Sequence, residues 1–286
     1  MTDKYAVIGN PVGHSLSPAI HANFARATGE DIVYGAILAP LDVFRAEVLK
    51  FRDAGGKGLN VTLPFKHDAW RLVDVHSGYA TTAGAVNTIE FRPSKAVGHN
   101  SDGIGLVRDI RENLECEIRG KRVLLMGAGG ASYGIMEPLL RERPDQLVVA
   151  NRTFGKAADM IHHFENLRKF AARGIAACRY EELGQLRFDI VINATAAGLH
   201  DTMPPLPRGM FTPGALAYDM VYGRRTPFMK FADDQGAISA DGLGMLVEQA
   251  AESFFIWRGV RPRTKPVIAL LRETGERGEE RGERRP

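Results

Sequence analysis

Short apolar runs alternate with helical-period stretches along almost the whole chain. YAVIG (Tyr5–Gly9), IVYGAIL and GLNVTL are compact, largely apolar segments of the kind that form strands. Between them, SPAIHANFARATG and LDVFRAEVLKFRDAGG place apolar residues at helical spacing. Ser17 is a good N-cap residue with Pro18 at the first helical position, and Gly55–Gly56 supply a stop. PFKHDAWRLV predicts a short helix, AGAVNTIEF a strand, and a further helix is expected from about Ile104 to Asn113. After the polar linker ECEIRGK the pattern restarts. RVLLMGAGGAS reads as strand, glycine turn and helix start, and QLVVANRT is as continuously apolar as a buried parallel strand should be. FDIVINAT and ALAYDMVY follow at βα intervals, and DGLGMLVEQAAESFFIWRG predicts one long late helix.

This alternation predicts an α/β protein of two α/β domains with parallel sheets, rather than a barrel, because the glycine turn restarts the pattern midway. The expected division is a first domain over 1–103, rejoined by helices over 244–272, and a Rossmann-type doubly wound domain over 104–243. The last stretch, 273–286 (ETGERGEERGERRP), is charged, glycine-interrupted and without apolar residues, and is expected to be disordered.

Composition narrows the function classes. Of 286 residues, 44% are hydrophobic and 25% charged, with 37 Lys and Arg against 34 Asp and Glu. The net charge of +3 is small and the cations are dispersed, so nucleic-acid binding is not indicated. No apolar run approaches the length of a membrane span, and the first residues lack a signal-peptide core. Cys116 and Cys178 have no metal-ligand or redox spacing, which suggests a reducing cytoplasm and no metal.

The chemistry gathers at strand ends. In GAGGAS, Gly127 allows a tight turn, Gly129 lets backbone approach a pyrophosphate, and Ser132 stands where a third glycine is usual. The turn residues Gly127, Ala128, Gly129, Gly130 and Ala131 are therefore candidate dinucleotide contacts, although glycine turns also join strands to helices for purely structural reasons. The next strand ends in Asn151, Arg152 and Thr153, with Lys156 one turn on, where an NAD site would carry an acid. An uncharged Asn with two cations suits the extra phosphate of NADP, the alternative being a solvated basic loop. Reduction of a ketone needs a positioned proton donor. Lys66 lies just after a strand, in the half of a helix where the dipole disfavours a cation. Asp102 in NSDG could orient it as a coupled pair. Taken singly, each also reads as an ordinary surface or turn residue.

Taken together, YAVIGNPVGHSLSP, GGKGLNVTLPFK, AGAVNT, NSDGIG, GAGGAS, NRT, NAT, YDMVY and DGLGMLVEQAA resemble, in order and spacing, the bacterial shikimate dehydrogenases. The resemblance runs to about Arg272. It implies NADP-dependent reduction of 3-dehydroshikimate to shikimate in a cleft between two domains, by a monomer or homodimer. Lys66 and Asp102 match the family's catalytic pair. Ser15 and Ser17 match serines that hold the substrate carboxylate, and Tyr222 a tyrosine near it. Thr62, Asn87, Asp102 and Gln249 match residues that reach ring hydroxyls, while Met220 and Gly242 match positions beside the nicotinamide. Departures are Ser101, where the family commonly has threonine, and Lys156 and Tyr133, where arginine is frequent. The alternatives are a quinate-using relative with relaxed substrate or NAD use, a folate-linked dehydrogenase, and a non-catalytic NADP-binding sensor.

Overall fold

The computed structural model of the protein describes residues 2–167, 174–195, 197 and 201–282. The chain divides into two compact units, Met1–Gly105 with Leu246–Pro286, and Leu106–Met245. The first unit contains β1 (Asp3–Gly9), α1 (Ser17–Thr28), β2 (Ile32–Leu38), α2 (Phe44–Asp53) and β3 (Gly56–Val61). It continues through α3 (Lys66–Leu72), β4 (Val75–His76), α4 (Gly78–Ala83), β5 (Thr88–Arg92), β6 (Lys95–His99) and the start of α5 (Asp102–Arg108). The sheet order is β2-β1-β3-β5-β6-β4.

This first sheet is mixed, not parallel as its sequence suggests. β5 runs antiparallel to both β3 and β6. Arg92 pairs with Lys95 across Pro93 and Ser94, and so short a connection can join only antiparallel neighbours. A second correction concerns α1. Ser17 is not its cap but its first residue; the preceding Leu16 makes no side-chain cap bond. The capping work passes to Ser15, whose Oγ accepts the Ser17 N–H at 3.3 Å.

The second unit carries β7 (Arg122–Met126), α6 (Gly130–Arg141), β8 (Gln146–Ala150), α7 (Phe154–Asn166), β9 (Ile175–Cys178), β10 (Phe188–Asn193), β11 (Phe211–Asp219), α8 (Pro227–Asp233) and β12 (Ile238–Ala240). Its strands are all parallel, in the order β12-β11-β10-β7-β8-β9. The winding direction reverses between β7 and β10, the place where an open sheet of this kind forms a ligand crevice at its strand ends. Leu124, Val148, Val191 and Ala217 pack on one face, and Val123, Leu125, Val149, Ile190 and Ile192 on the other. Burial on both faces explains why these strands read as unbroken apolar runs. The helix expected through Asn113 is α5 followed by a π-helical turn over Asp109–Asn113. There the buried Asp109 carboxylate accepts the Tyr218 hydroxyl at 2.6 Å.

Two helices complete the first unit. In α9 (Leu243–Arg258), Val247, Ala250, Ala251 and Phe254 pack with Ile20 and Phe24 of α1. Trp257 crosses the sheet at Gly58, where a Cβ would overlap the indole; the indole N–H donates to the Ile89 carbonyl at 3.0 Å. Helix α10 (Lys265–Gly282) starts on apolar Val267 and Ile268 and runs to Gly282, correcting the expectation of a disordered stretch from 273. Glu and Arg are good helix formers, so propensity can prolong a helix that packing begins. The remainder of that stretch, 283–286, lies outside the described residues. No described helix is long and apolar enough to cross a membrane.

His21 on α1 is fully buried, stacked on Tyr34 with ring centroids 4.0 Å apart. Burial drives its pKa down to about 3, and Asn60 opposes this only in part, without a well-formed bond to either ring nitrogen. The unfolded chain therefore binds more protons than the folded one between the ordinary histidine value, about 6.5, and about 3. Stability contributed by this group is complete above that window and is lost as pH falls through it, by up to about 1.4 kcal/mol per pH unit. We expect His21→Phe to flatten the fall in stability between pH 6.5 and 4 relative to the parent, measured by denaturant midpoints. Identical slopes would show that His21 protonates in the folded state.

Candidate active site

The lysine that looked misplaced in the sequence is fixed by its turn. Thr62 leaves β3 with its N–H donating to the Ile8 carbonyl at 3.0 Å, and its carbonyl accepts the Phe65 N–H at 3.1 Å. A Cβ on Gly9 would overlap the Thr62 methyl, so β1 has to end in glycine for this turn to close. Phe65 is buried and stacked on Phe44 at 4.7 Å, and Lys66 opens α3 with its carbonyl accepting the Val86 N–H at 3.0 Å.

Lys66 Nζ donates to Asp102 Oδ2 at 2.6 Å. The side chains are 23% and 10% exposed, so the pair is mostly shielded yet reachable from one side. Asp102 opens α5, and its N–H donates to Asn100 Oδ1 at 3.1 Å. Asn87 Nδ2 donates to the other carboxylate oxygen at 2.9 Å, while Asn87 Oδ1 accepts the Ser101 N–H, also at 2.9 Å. Gln249 on α9 brings its Oε1 within 3.4 Å of Ser101 Oγ and 3.5 Å of Asn87 Nδ2. Of the predicted residues in the first unit, Lys66, Asn87, Asp102 and Gln249 thus form one cluster. Thr62 borders it through the turn to Lys66. Ser15 and Ser17 pair with each other, and the Tyr34 hydroxyl donates to Asn60 Oδ1 at 2.7 Å. Burial raises the Tyr34 phenol well above its ordinary value.

The second unit assembles a different kind of site. Gly127, at φ +101°, follows β7; its N–H donates to the Ala150 carbonyl, and a Cβ there would press on Ala194 and Thr195. Ala128 is buried, Gly129 is extended, and α6 begins at Gly130 and Ala131 with no side chain capping it. Those first amides are free for an anion. At the end of β8, Asn151 Nδ2 donates to the Thr153 carbonyl at 2.8 Å, and the Lys156 N–H returns to that carbonyl at 3.1 Å. Arg152 is exposed beside them. Arg179 follows the adjacent β9 and lies over the Phe154 ring, 5.4 Å from its centroid. Gly242 passes Met220 so closely that a Cβ would overlap the Met220 carbonyl. Tyr222 lies two residues beyond Met220, its phenol raised by burial. An open glycine turn, unused helix amides and cationic strand ends without a carboxylate on β8 fit a dinucleotide that bears an extra phosphate. Among the described residues no cluster of His, Cys, Asp and Glu is suited to a metal.

Residues 7–89 match a family model described as the shikimate dehydrogenase substrate binding domain. Residues 109–200 match shikimate/quinate 5-dehydrogenase, and 242–272 the shikimate 5′-dehydrogenase C-terminal domain. A curated shikimate dehydrogenase (NADP⁺) of Chromobacterium violaceum is 55% identical over 96% of this chain and 99% of its own. The chain belongs to the shikimate dehydrogenase family. Among solved structures, an Ael1 enzyme from Pseudomonas putida is 48% identical, with a TM-score of 0.89 over 94% of this chain and 98% of its own. Shikimate 5-dehydrogenase from Thermus thermophilus, in complex with NADP(H) and shikimate, is 30% identical, with a TM-score of 0.84 over 95% of this chain and 99% of its own.

Within the shikimate dehydrogenase framework, four neighbours of these clusters escape a reading by motif: Asn60, Thr88, Ser253 and Arg179. Asn60 and Thr88 stand inside NVT and AGAVNT, next to residues that are singled out there. Ser253 is one helical turn beyond Gln249, a spacing that places both on one face of α9. Arg179 carries no signal until β9 is known to pair with β8.

Because Gly242 is pressed against backbone, its neighbour has little freedom to yield. We expect Gly242→Ala to cost roughly 1–3 kcal/mol, as overpacking does, and to weaken binding of NADP⁺. A parental denaturation midpoint would show that the Met220 loop moves freely.

Proposed function

We propose that this chain is an NADP-dependent shikimate dehydrogenase that interconverts 3-dehydroshikimate and shikimate. The observation that carries this reading is the shielded Lys66–Asp102 pair at 2.6 Å, with the Asn87 amide on the free carboxylate oxygen. NADPH, when bound, supplies the hydride. Gly127 to Ala131 would receive its pyrophosphate, Met220 and Gly242 would border the nicotinamide, and Asn151, Arg152, Thr153 and Lys156 would meet the 2′-phosphate. Arg179, whose guanidinium lies over the Phe154 ring, adds a third cation in place of the arginines that Lys156 and Tyr133 forgo.

Ser15 and Ser17 would hold the substrate carboxylate, with Tyr222 near it, while Thr62, Asn87, Asp102 and Gln249 would take ring hydroxyls. Lys66 gives its proton to the forming alkoxide during reduction and recovers one from the hydroxyl during oxidation. Asp102 orients the ammonium and stabilises its charge throughout. A small polyhydroxylated anion offers little apolar surface, so selectivity rests on buried donors and acceptors that a wrong substrate leaves unpaired. Two cysteines without bridging partners suit a reducing cytoplasm.

Lys66→Ala should lower kcat on the order of 10²–10⁴-fold, the usual worth of a positioned acid or base, with KM for NADP⁺ little changed. Near-parental turnover would remove Lys66 from the chemistry. Assays of shikimate and quinate side by side, each with NADP⁺ and NAD⁺, test the substrate assignment; faster turnover of quinate would replace it with the quinate reading. Arg152→Ala and Arg179→Ala should each weaken NADP⁺ binding while leaving NAD⁺ binding nearly unchanged, measured by calorimetry. Equal effects on both cofactors would move the 2′-phosphate away from these residues.

A further inference from the structure

Behind Asn87 and the Lys66–Asp102 pair lies a buried chain of side chains that the reaction itself does not use. Tyr34 donates to Asn60 Oδ1 at 2.7 Å. Asn60 Nδ2 lies 2.8 Å from Ser253 Oγ, 3.1 Å from Thr88 Oγ1 and 3.3 Å from the Asn87 carbonyl. Thr88 Oγ1 lies 2.8 Å from Ser253 Oγ and donates to Asn87 Oδ1 at 3.0 Å. Asn60, Thr88, Asn87 and Ser253 are all buried.

Backbone groups settle which way each amide faces. A carbonyl can only accept, so the Asn87 carbonyl requires the NH₂ end of Asn60 to point inward. A backbone N–H can only donate, so Ser101 requires the oxygen of Asn87 to face it and leaves the Asn87 NH₂ for Asp102. Every donor in the series then points the same way, from Tyr34 through Asn60, Thr88 and Asn87 to the carboxylate. Aligned bonds of this kind reinforce one another in a buried setting.

We propose that Thr88, backed by Asn60, Ser253 and Tyr34, is a positioning residue that holds the Asn87 amide on Asp102 and thereby holds the carboxylate in place for Lys66. The proposal rests on the assignment of Lys66 and Asp102 to proton transfer. Thr88 does not touch Asp102 or Lys66; it acts through Asn87. Replacing its hydroxyl with a methyl of the same shape removes the donor to Asn87 Oδ1 and an acceptor from Asn60.

The test compares Thr88→Val with Thr88→Ser on the full chain. The first readout needs no substrate: the side-chain NH₂ resonances of Asn60 and Asn87 and their rates of hydrogen exchange. We expect slow exchange in the parent and in Thr88→Ser, and faster exchange with shifted resonances in Thr88→Val. The second readout is kinetic. Thr88→Val should lower kcat on the order of tenfold, near the upper range for one neutral hydrogen bond, with KM for NADP⁺ unchanged, and Thr88→Ser should restore most of it. Should Thr88→Val fail to fold, Ser253→Ala removes the other hydroxyl that receives the Asn60 amide and is expected to give the same split in weaker form. Parental amide exchange and kcat in Thr88→Val overturn the proposal, as does a serine variant as impaired as the valine one, which would assign the effect to methyl packing. A parent that turns over no shikimate, but whose amides still respond to Thr88→Val, defeats the functional reading and leaves the positioning role standing.

Discussion

A carboxylate held mostly out of water must have every lone pair answered, and Asp102 organises the first unit around that requirement. An unanswered buried charge costs far more than any one of its contacts contributes. Its partners come from separated segments, Lys66 after β3 and Asn87 before β5, and the residues after β6 steady them: Asn100 accepts the Asp102 N–H, and the Ser101 N–H donates to Asn87. The mixed sheet makes that convergence geometrically simple. In a purely parallel sheet only residues that follow strands meet at the carboxyl edge. Because β5 runs backwards, the residue that precedes it reaches the same edge as the residues that follow its neighbours. Thr88 pairs with both Asn60 and His99, so Asn87 emerges beside Val61 and Asn100. The reversal that departs from the regular βα pattern is the feature that builds the site.

The four central strands of the second unit, β7, β8, β10 and β11, were legible, since burial on both faces writes a continuous apolar signal and the glycine turn marks the switch in winding, while the short edge strands β9 and β12 were not. The first unit was less so. β5 and β6 are short and joined by Pro93–Ser94, and neither their pairing nor their direction follows from periodicity. The partnership of Lys66 with Asp102 could be suspected from chemistry, yet their separation of 36 positions is closed only by the β5–β6 register. Ser17 illustrates a local limit: serine before proline has the composition of a cap, but the helix took it into its first turn and Ser15 became the acceptor. The late helix shows the converse, since composition alone cannot tell a solvated chain from a helix that packing has already begun.

Asn60 and Thr88 were hidden for a different reason. A buried amide is read by motif as a structural residue or as a ligand contact, and nothing in a linear sequence says that two amides share a donor direction. That property appears only when a backbone carbonyl and a backbone N–H fix their orientation. Motif boundaries do carry a trace of it, because NVT and AGAVNT each combine a residue at the site with one behind it.

On the proposed assignment of the two sites, the units discriminate by opposite physics. Around Asp102, the donors are buried, mutually oriented and few, so an ill-matched ring leaves a group unpaired and is rejected steeply. At the ends of β8 and β9, the cations are exposed, and Arg179 is steadied by an aromatic face rather than by a buried partner. Attraction there is screened by salt over about 8–10 Å at physiological strength. Preference for an extra phosphate should accordingly soften as ionic strength rises, whereas preference for the ring should hardly respond. Measuring both ratios at low and high salt separates the two terms: parallel salt dependence would mean that the ring, too, is selected by exposed charge, and that the buried network has no part in specificity.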